Sequence, residues 1–314
     1  MELQHLRSLL FAPGSDERKL AKALASAADA VVCDLEDAVA PADKEAARDV
    51  VARALRDATE PAEAATVPHP GRGVVPPPSQ QSVTATSAPD RDDSAPISTG
   101  LARARPAQIV RINAAGTPWF ADDLAFTAAL ALDGLVLPKA SPEAVEALGS
   151  DGPPVIAIIE TATGLRQAFE IASQPRVAAL LLGSVDLGAE VGLETRPDGQ
   201  EILYARSKVA IDSTAAGLRG PFDAVHLDFQ DEAGLEQQSL LARALGFRGK
   251  ASIHPAQIET INRVFAPSDR EIEWARKVVD AFDGQSEGVL AVNGTMVDRP
   301  VVERARRVLR EAGR

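Results

Sequence analysis

VIAIIET (155–161) is an uninterrupted apolar run that ends on a carboxylate. Three other runs have the same form: VVCDLED (31–37), IVRIN (109–113) and LLLGSVD (180–186). Apolar runs of this length, rich in β-branched residues and without alternation, read as strands buried on both faces. That is the signature of a parallel sheet covered by helices. Charge collecting at the C-terminal ends of such strands is the layout of a barrel enzyme, whose strands fill the core while polar groups gather at one mouth.

Working outward from these runs gives eight strands: RSLLFAP (7–13), AVVCDLE (30–36), QIVRIN (108–113), GLVLPK (134–139), VIAIIE (155–160), ALLLGS (179–184), AVHLDF (224–229) and KASIHP (250–255). Helical patterns lie between them. DERKLAKALASAAD (16–29) sets Leu20 and Leu24 four apart, and PADKEAARDVVARAL (41–55) opens on Pro and acids that suit a helix N-terminus. Strand and helix alternating eight times predict an α/β fold, the (β/α)8 TIM barrel. The competing open doubly wound sheet calls for a glycine-rich turn after its first strand, and APGSDER (12–18) has a single glycine there.

Two segments fall outside the repeat. Residues 59–106 are rich in Pro, Ser, Thr and Gly and lack periodicity, so a disordered or loosely packed insertion is expected, on the barrel's bottom face. Residues 267–314 follow the eighth strand and form a C-terminal helical extension to a barrel domain spanning 1–266. Such a tail can cover the mouth of its own barrel or of a neighbouring subunit.

Acidic residues outnumber basic ones by 45 to 33, a net charge of −12, which argues against a general nucleic-acid surface. The single cysteine, Cys33, excludes an intrachain disulfide and a thiolate zinc site, and its place inside a strand reads as a small buried residue. No run approaches the ~18 apolar residues of a membrane span, and the N-terminus lacks a signal-peptide pattern. A cytoplasmic protein without a membrane partner is the expectation.

The chemistry is expected at the strand ends. Glu160 and Asp186 fall on neighbouring strands, about 4.8 Å apart, so both carboxylates can reach one ion, and two carboxylates with open positions suit Mg²⁺. Arg111 inside an apolar run would be costly to bury unpaired. At a strand's end its planar fork can hold a substrate carboxylate, or pair with Glu36 or Asp37. Alternation sends Asp34 and Glu36 to one side of their strand. Lys139 ends the fourth strand; it pairs with these acids or, in the competing aldolase chemistry, forms a Schiff base. His254 either braces the loop before Pro255 or works as an acid–base group, and His226 reads as core.

At these residues the chain resembles the citrate lyase β-subunit-like (CitE-like) branch of the HpcH/HpaI aldolase superfamily, close to the malyl-CoA and citramalyl-CoA lyases. The resemblance rests on RSLLFAPG (7–14), VVCDLEDAVAPADKEAAR (31–48), VRIN (110–113), LVLPKA (135–140), IIETATGL (158–165), LLGSVDLGAEVG (181–192) and GFRGKASIHPAQI (246–258), in family order. It implies Mg²⁺, with Mn²⁺ able to substitute, held by Glu160 and Asp186. It also implies a substrate carboxylate on Arg111, with Glu36 in the catalytic group and Asp34, Asp37 and Lys139 in support. TMVD (295–298) places Asp298 where longer relatives supply an acid–base group from the neighbouring subunit, which implies a homo-oligomer, a trimer or hexamer. Arg7 is assigned to the nucleotide portion of CoA. The activity implied is cleavage or formation of a 3-hydroxyacyl-CoA thioester such as malyl-CoA, citramalyl-CoA or citryl-CoA, giving an oxo acid and acetyl-CoA. The alternatives are a class II aldolase acting on free 2-oxo acids, a thioester hydrolase with malate-synthase-like chemistry, and a β-type subunit of an acyl-carrier citrate lyase complex.

Overall fold

The computed structural model describes residues 3–58, 105–283, 290–292 and 295–313. Eight parallel strands close in chain order: β1 (Ser8–Pro13), β2 (Ala30–Asp34), β3 (Ala107–Arg111), β4 (Gly134–Leu137), β5 (Val155–Ile159), β6 (Val177–Leu182), β7 (Phe222–Asp223) and β8 (Gly249–Ser252), with β8 pairing back onto β1. The helices between them are α1 (Glu17–Leu24), α2 (Lys44–Asp57), α3 (Phe120–Ala128), α4 (Pro142–Glu146), α5 (Ala162–Arg166), α6 (Ala168–Ala172), α7 (Ser184–Val191), α8 (Leu203–Ala215) and α9 (Glu232–Ala244); α10 (Ile258–Phe265) follows β8. This is the (β/α)8 barrel read from the strand pattern.

Both strand faces are buried, each in its own cluster. Leu9, Val32, Ile109, Val136, Ile156, Ile158 and Leu181 fill the barrel interior, plugged from below by Leu3 and Leu6. The alternate residues Leu10, Val31, Cys33, Val110, Leu137, Ala157 and Leu180 pack outward against the helices. Each aliphatic side chain buried this way contributes roughly 1.5–3 kcal/mol, which is why the strands read as continuous apolar runs. Cys33 is fully enclosed, and burial, helped by the Asp34 charge, pushes its thiol up to about 12, so it is inert at neutral pH.

The seventh strand departs from expectation. It comprises Phe222 and Asp223, not residues 224–229. The apolar letters of AVHLDF belong to a loop at the mouth, where Leu227 and Phe229 are 62% and 50% exposed. The true strand escaped notice because its outward position is a charge. Asp223 accepts from Lys250 Nζ at 2.6 Å and from Arg206 Nε at 3.0 Å, all three side chains buried between β7, β8 and α8. His226 is accordingly a loop residue rather than core, 3.4 Å from Asp231 Oδ2 through Nε2.

The chain continues into α11 (Asp269–Asp283), an antiparallel pair β9 (Leu290–Val292) and β10 (Thr295–Val297), and α12 (Arg299–Ala312). Ala275, Val278, Val297, Val302 and Ala305 form its own small core. It is tied to the barrel's lower rim by Arg243–Glu271 and Arg248–Glu311. Almost all of the expected 59–106 insertion lies outside the described residues. Its flanks, α2 on one side and Arg105 on the other, lead into the N-terminal end of β3. Among the described residues no helix is long and apolar enough to cross a membrane.

Candidate active site

The parity that fills the barrel also builds the site. Val32, Ile109, Ile158 and Leu181 point inward; two residues further along each chain segment stand Asp34, Arg111, Glu160 and Gly183. The uppermost interior layer is therefore polar. It opens into a cavity of about 440 Å³ at the C-terminal mouth, lined by Asp34, Asp37, Arg111, Glu160 and Asp186 on one side and by Phe11, Leu181, Val185, Val225 and Ile253 on the other.

Arg111 sits over the Phe11 ring and donates through Nε and Nη2 to the two oxygens of Asp34, at 2.7 and 2.6 Å. Its Nη1 lies 2.8 Å from Glu36 Oε2 and 3.6 Å from Asp37. The Glu36 contact is off the N–H direction: an ion pair whose buried Oε2 has no hydrogen-bond donor. Of the five guanidinium N–H groups, those of Nη1 and one on Nη2 therefore have no hydrogen-bond acceptor among the described residues, although Nη1 stays ion-paired with Glu36.

Lys139 has the only positive φ among the described non-glycine residues, 48°. A side chain rarely adopts that conformation without a reason. Here it turns the Lys139 amide onto Glu160 Oε1 at 2.7 Å while the ammonium reaches Glu36 Oε1 at 2.6 Å. The same ammonium is 4.0 Å from Glu160 and 3.7 Å from Asp186. Burial favours its neutral form, but Glu36 and then Glu160 outweigh that and raise it, which is the wrong direction for a Schiff-base amine.

Glu160 follows β5, and Asp186 is on the first turn of α7, directly after β6. They differ in setting: the Glu160 side chain is 5% exposed and the Asp186 side chain 41%. Burial pushes Glu160 up to about 7; the charges of Glu36 and Asp186 add to this, and the Lys139 amide and ammonium oppose it. Burial likewise raises Glu36 against the pull of Arg111 and Lys139. Such a group of acids demands positive charge beyond the two cations present. Glu160 and Asp186 offer hard oxygen ligands, and together they fit a divalent ion that keeps most of its waters. Among the described residues no three acids, histidines or cysteines converge as a full cage.

Two residues assigned to the site stand elsewhere. Arg7 precedes β1 at the opposite end of the barrel, with Nε and Nη2 bonded to Asp29 at 2.8 Å each. Arg7, expected to contact the nucleotide portion of CoA, thus stands away from this mouth: a residue before a strand lies at the bottom of the barrel, one after it at the top. Asp298 caps α12, accepting from the Val301 amide, and no described residue of the extension lines the mouth. His254 accepts from the Ala256 amide through Nδ1 and stacks on Phe229 at 4.8 Å, bracing its loop.

Reading the sequence by strand ends missed the residues behind the acids. Lys44 is buried and donates to the carbonyls of Leu35 and Glu36 and to Asn113 Oδ1, each at 2.7 Å, fixing the loop that carries Glu36. Asn113 is held in turn by Asp123, which Arg48 pairs at 2.9 Å. Gly183 gives Glu160 its room: a Cβ there would meet Glu160 Cβ at 2.4 Å and Oε2 at 2.8 Å.

Comparison with known proteins agrees with this architecture. The chain is 34% identical over 312 residues to a (3S)-malyl-CoA thioesterase of Cereibacter sphaeroides, covering 98% of this chain and 94% of the relative. It is 33% identical over 324 residues to the citrate lyase subunit beta of Leuconostoc mesenteroides subsp. cremoris, covering 98% and 93%. The solved structure of CitE from Mycobacterium tuberculosis, in complex with magnesium, acetoacetate and coenzyme A, superposes with a TM-score of 0.74 at 34% identity, covering 99% of this chain and all of that one. The profile of the HpcH/HpaI aldolase/citrate lyase family matches residues 7–70 and 97–255. With its closed parallel barrel and acid-lined mouth, the chain belongs to the HpcH/HpaI aldolase/citrate lyase family of enzymes.

Proposed function

We propose that the protein is a Mg²⁺-dependent carbon–carbon lyase acting on a 3-hydroxyacyl-CoA thioester of the malyl-, citramalyl- or citryl-CoA class. The observation that carries this reading is the convergence of Asp34, Arg111, Glu160 and Asp186 on one mouth, with Glu36 paired to Arg111 behind it and Arg111 keeping donors that no described residue accepts. Magnesium and coenzyme A in the CitE relative support the same reading.

In this account Glu160 and Asp186 hold the ion. An ion held there would supply Lewis-acid polarisation of the substrate's oxygens. The free edge of Arg111 holds the substrate's carboxylate, and Asp34 keeps the guanidinium rigid. Glu36, raised by burial and bonded by Lys139, takes the proton leaving the 3-hydroxyl. As the carbon–carbon bond breaks, its electrons pass to the thioester as an enolate. A proton from Asp298 of a second copy then completes acetyl-CoA. No described residue of a chain's own extension lines its mouth, which supports a donor from another subunit in a homo-oligomer.

Thioester hydrolysis is the second reading, favoured by the malyl-CoA thioesterase relative. Incubating malyl-, citramalyl- and citryl-CoA with Mg²⁺, and measuring free thiol and oxo acid separately, tests both. Oxo acid without thiol supports lysis, thiol without oxo acid supports hydrolysis, and neither product from any thioester would overturn the proposal.

A further inference from the structure

A second cavity, of about 340 Å³, lies at the barrel's other end, where the strand N-termini meet α10, α11 and α12. Its charged wall is Arg7, Arg219 and Arg248 with Asp29 and Glu311, and His5 beside them. Three guanidiniums around one hollow are not the general character of a chain with net charge −12.

The three arginines are held differently. Arg7 is locked to Asp29 through two hydrogen bonds of 2.8 Å, so its charge is compensated and its position fixed. Arg219 donates from Nη1 to His5 Nδ1 at 2.8 Å. A guanidinium can only donate, so Nδ1 accepts. Arg248 is the least satisfied. Among the described residues its one side-chain partner is Glu311, 3.3 Å from Nη1, and its Nε and Nη2 make no hydrogen bond. Burial lowers its pKa, and the charges of Arg307, Arg219 and Arg243 add to this against the pull of Glu311. The nearby Glu271 gives no relief, because Arg243 takes both of its oxygens at 2.8 Å. Helix C-termini at this end attract cations in general, but they do not explain a half-buried arginine left with open donors beside a cavity.

We propose that this cavity is a binding site for a small phosphate-bearing anion, gripped by Arg248, with Arg219 and Arg7 at its wall. These arginines precede β8, β7 and β1 and so reach the hollow from three chain segments. That suits a tetrahedral group with several oxygens better than one planar carboxylate. The site is separate from the mouth and shares no lining residue with it.

Calorimetric titration of the full chain with pyrophosphate, in EDTA at constant ionic strength, tests this. The expected result is saturable binding at one site per chain, weakened about tenfold or more by Arg248→Gln. Glu311→Gln frees Arg248 and should tighten binding by about two- to fivefold, an effect that misfolding cannot imitate. Binding should persist in a Glu160→Gln/Asp186→Asn variant, and malate should bind more weakly than pyrophosphate. Absence of saturable binding, indifference to both Arg248→Gln and Glu311→Gln, or loss in the mouth variant would overturn the site. Malate binding as tightly as pyrophosphate would overturn the phosphate assignment.

Discussion

Gly183→Ala tests the site without touching a charge. Gly183 has φ −100° and ψ 79°, open to most residues, so the glycine is there for space and not for conformational freedom. An added Cβ would sit 2.4 Å from Glu160 Cβ, 2.8 Å from Glu160 Oε2 and 2.9 Å from Ile158 Cγ2. Carbon–carbon contacts settle near 3.5–4.0 Å, so about 1 Å must open between the two Cβ atoms. Ile158 belongs to the packed interior, which leaves the Glu160 carboxylate as the part that gives. Overpacking of this kind costs about 1–3 kcal/mol, a few degrees of melting temperature at this size. A carboxylate shifted by this much should weaken Mg²⁺ binding by about 10- to 100-fold, the range seen when groups supporting a metal site are lost. Calorimetry with Mg²⁺, together with turnover as a function of Mg²⁺ on the thioester cleaved best, reads the effect. A folded Gly183→Ala protein with unchanged Mg²⁺ dependence would refute the reasoning.

Further consequences can be measured. Glu160 titrates near 7 in the metal-free protein, above its ordinary value of 4.5; its contribution to stability is therefore full below about 4.5 and lost as pH rises through about 7. Mg²⁺ binds the deprotonated form, so thermal melts should show the ion stabilising the protein more at pH 8 than at pH 5.5, and equal stabilisation would contradict the placement of Glu160. Borohydride reduction in the presence of pyruvate should leave Lys139 unmodified by mass spectrometry, because Glu36 and Glu160 hold its ammonium charged; an adduct on that peptide would restore the Schiff-base chemistry. Deleting residues 62–103 should leave turnover within about twofold, since the described flanks, the end of α2 and the start of β3, lie at the end of the barrel away from the mouth; a large loss in the folded variant would place it in function.

Most of the architecture was legible because a barrel strand buried on two faces leaves an unambiguous mark. β2, β3, β5 and β6 stand out as apolar runs, and counting by twos from Val32, Ile109 and Ile158 carries Asp34, Arg111 and Glu160 to one layer. β7 was misplaced because Asp223, neutralised by Lys250 and Arg206, occupies an outward position that the pattern reserves for an apolar residue. The place of Arg7 was hidden for a different reason. Composition says that an arginine stands near a strand, and only its side of the strand decides which end of the barrel it serves. Lys44, Asn113 and Gly183 were present in the quoted motifs yet had no assigned role, since each acts through a neighbour: a loop held by its carbonyls, or a Cβ that is absent.

We propose that Glu160 and Asp186 together hold the ion on which turnover depends. The most direct test is Mg²⁺-dependent cleavage measured on Glu160→Gln and Asp186→Asn, with melting curves to show that both variants fold. The account predicts no turnover of the native chain in EDTA. It also predicts that either substitution raises the Mg²⁺ needed for half-maximal activity by more than about 100-fold, beyond what loss of a supporting group brings. Full turnover in EDTA, or native Mg²⁺ dependence in either variant, would contradict it.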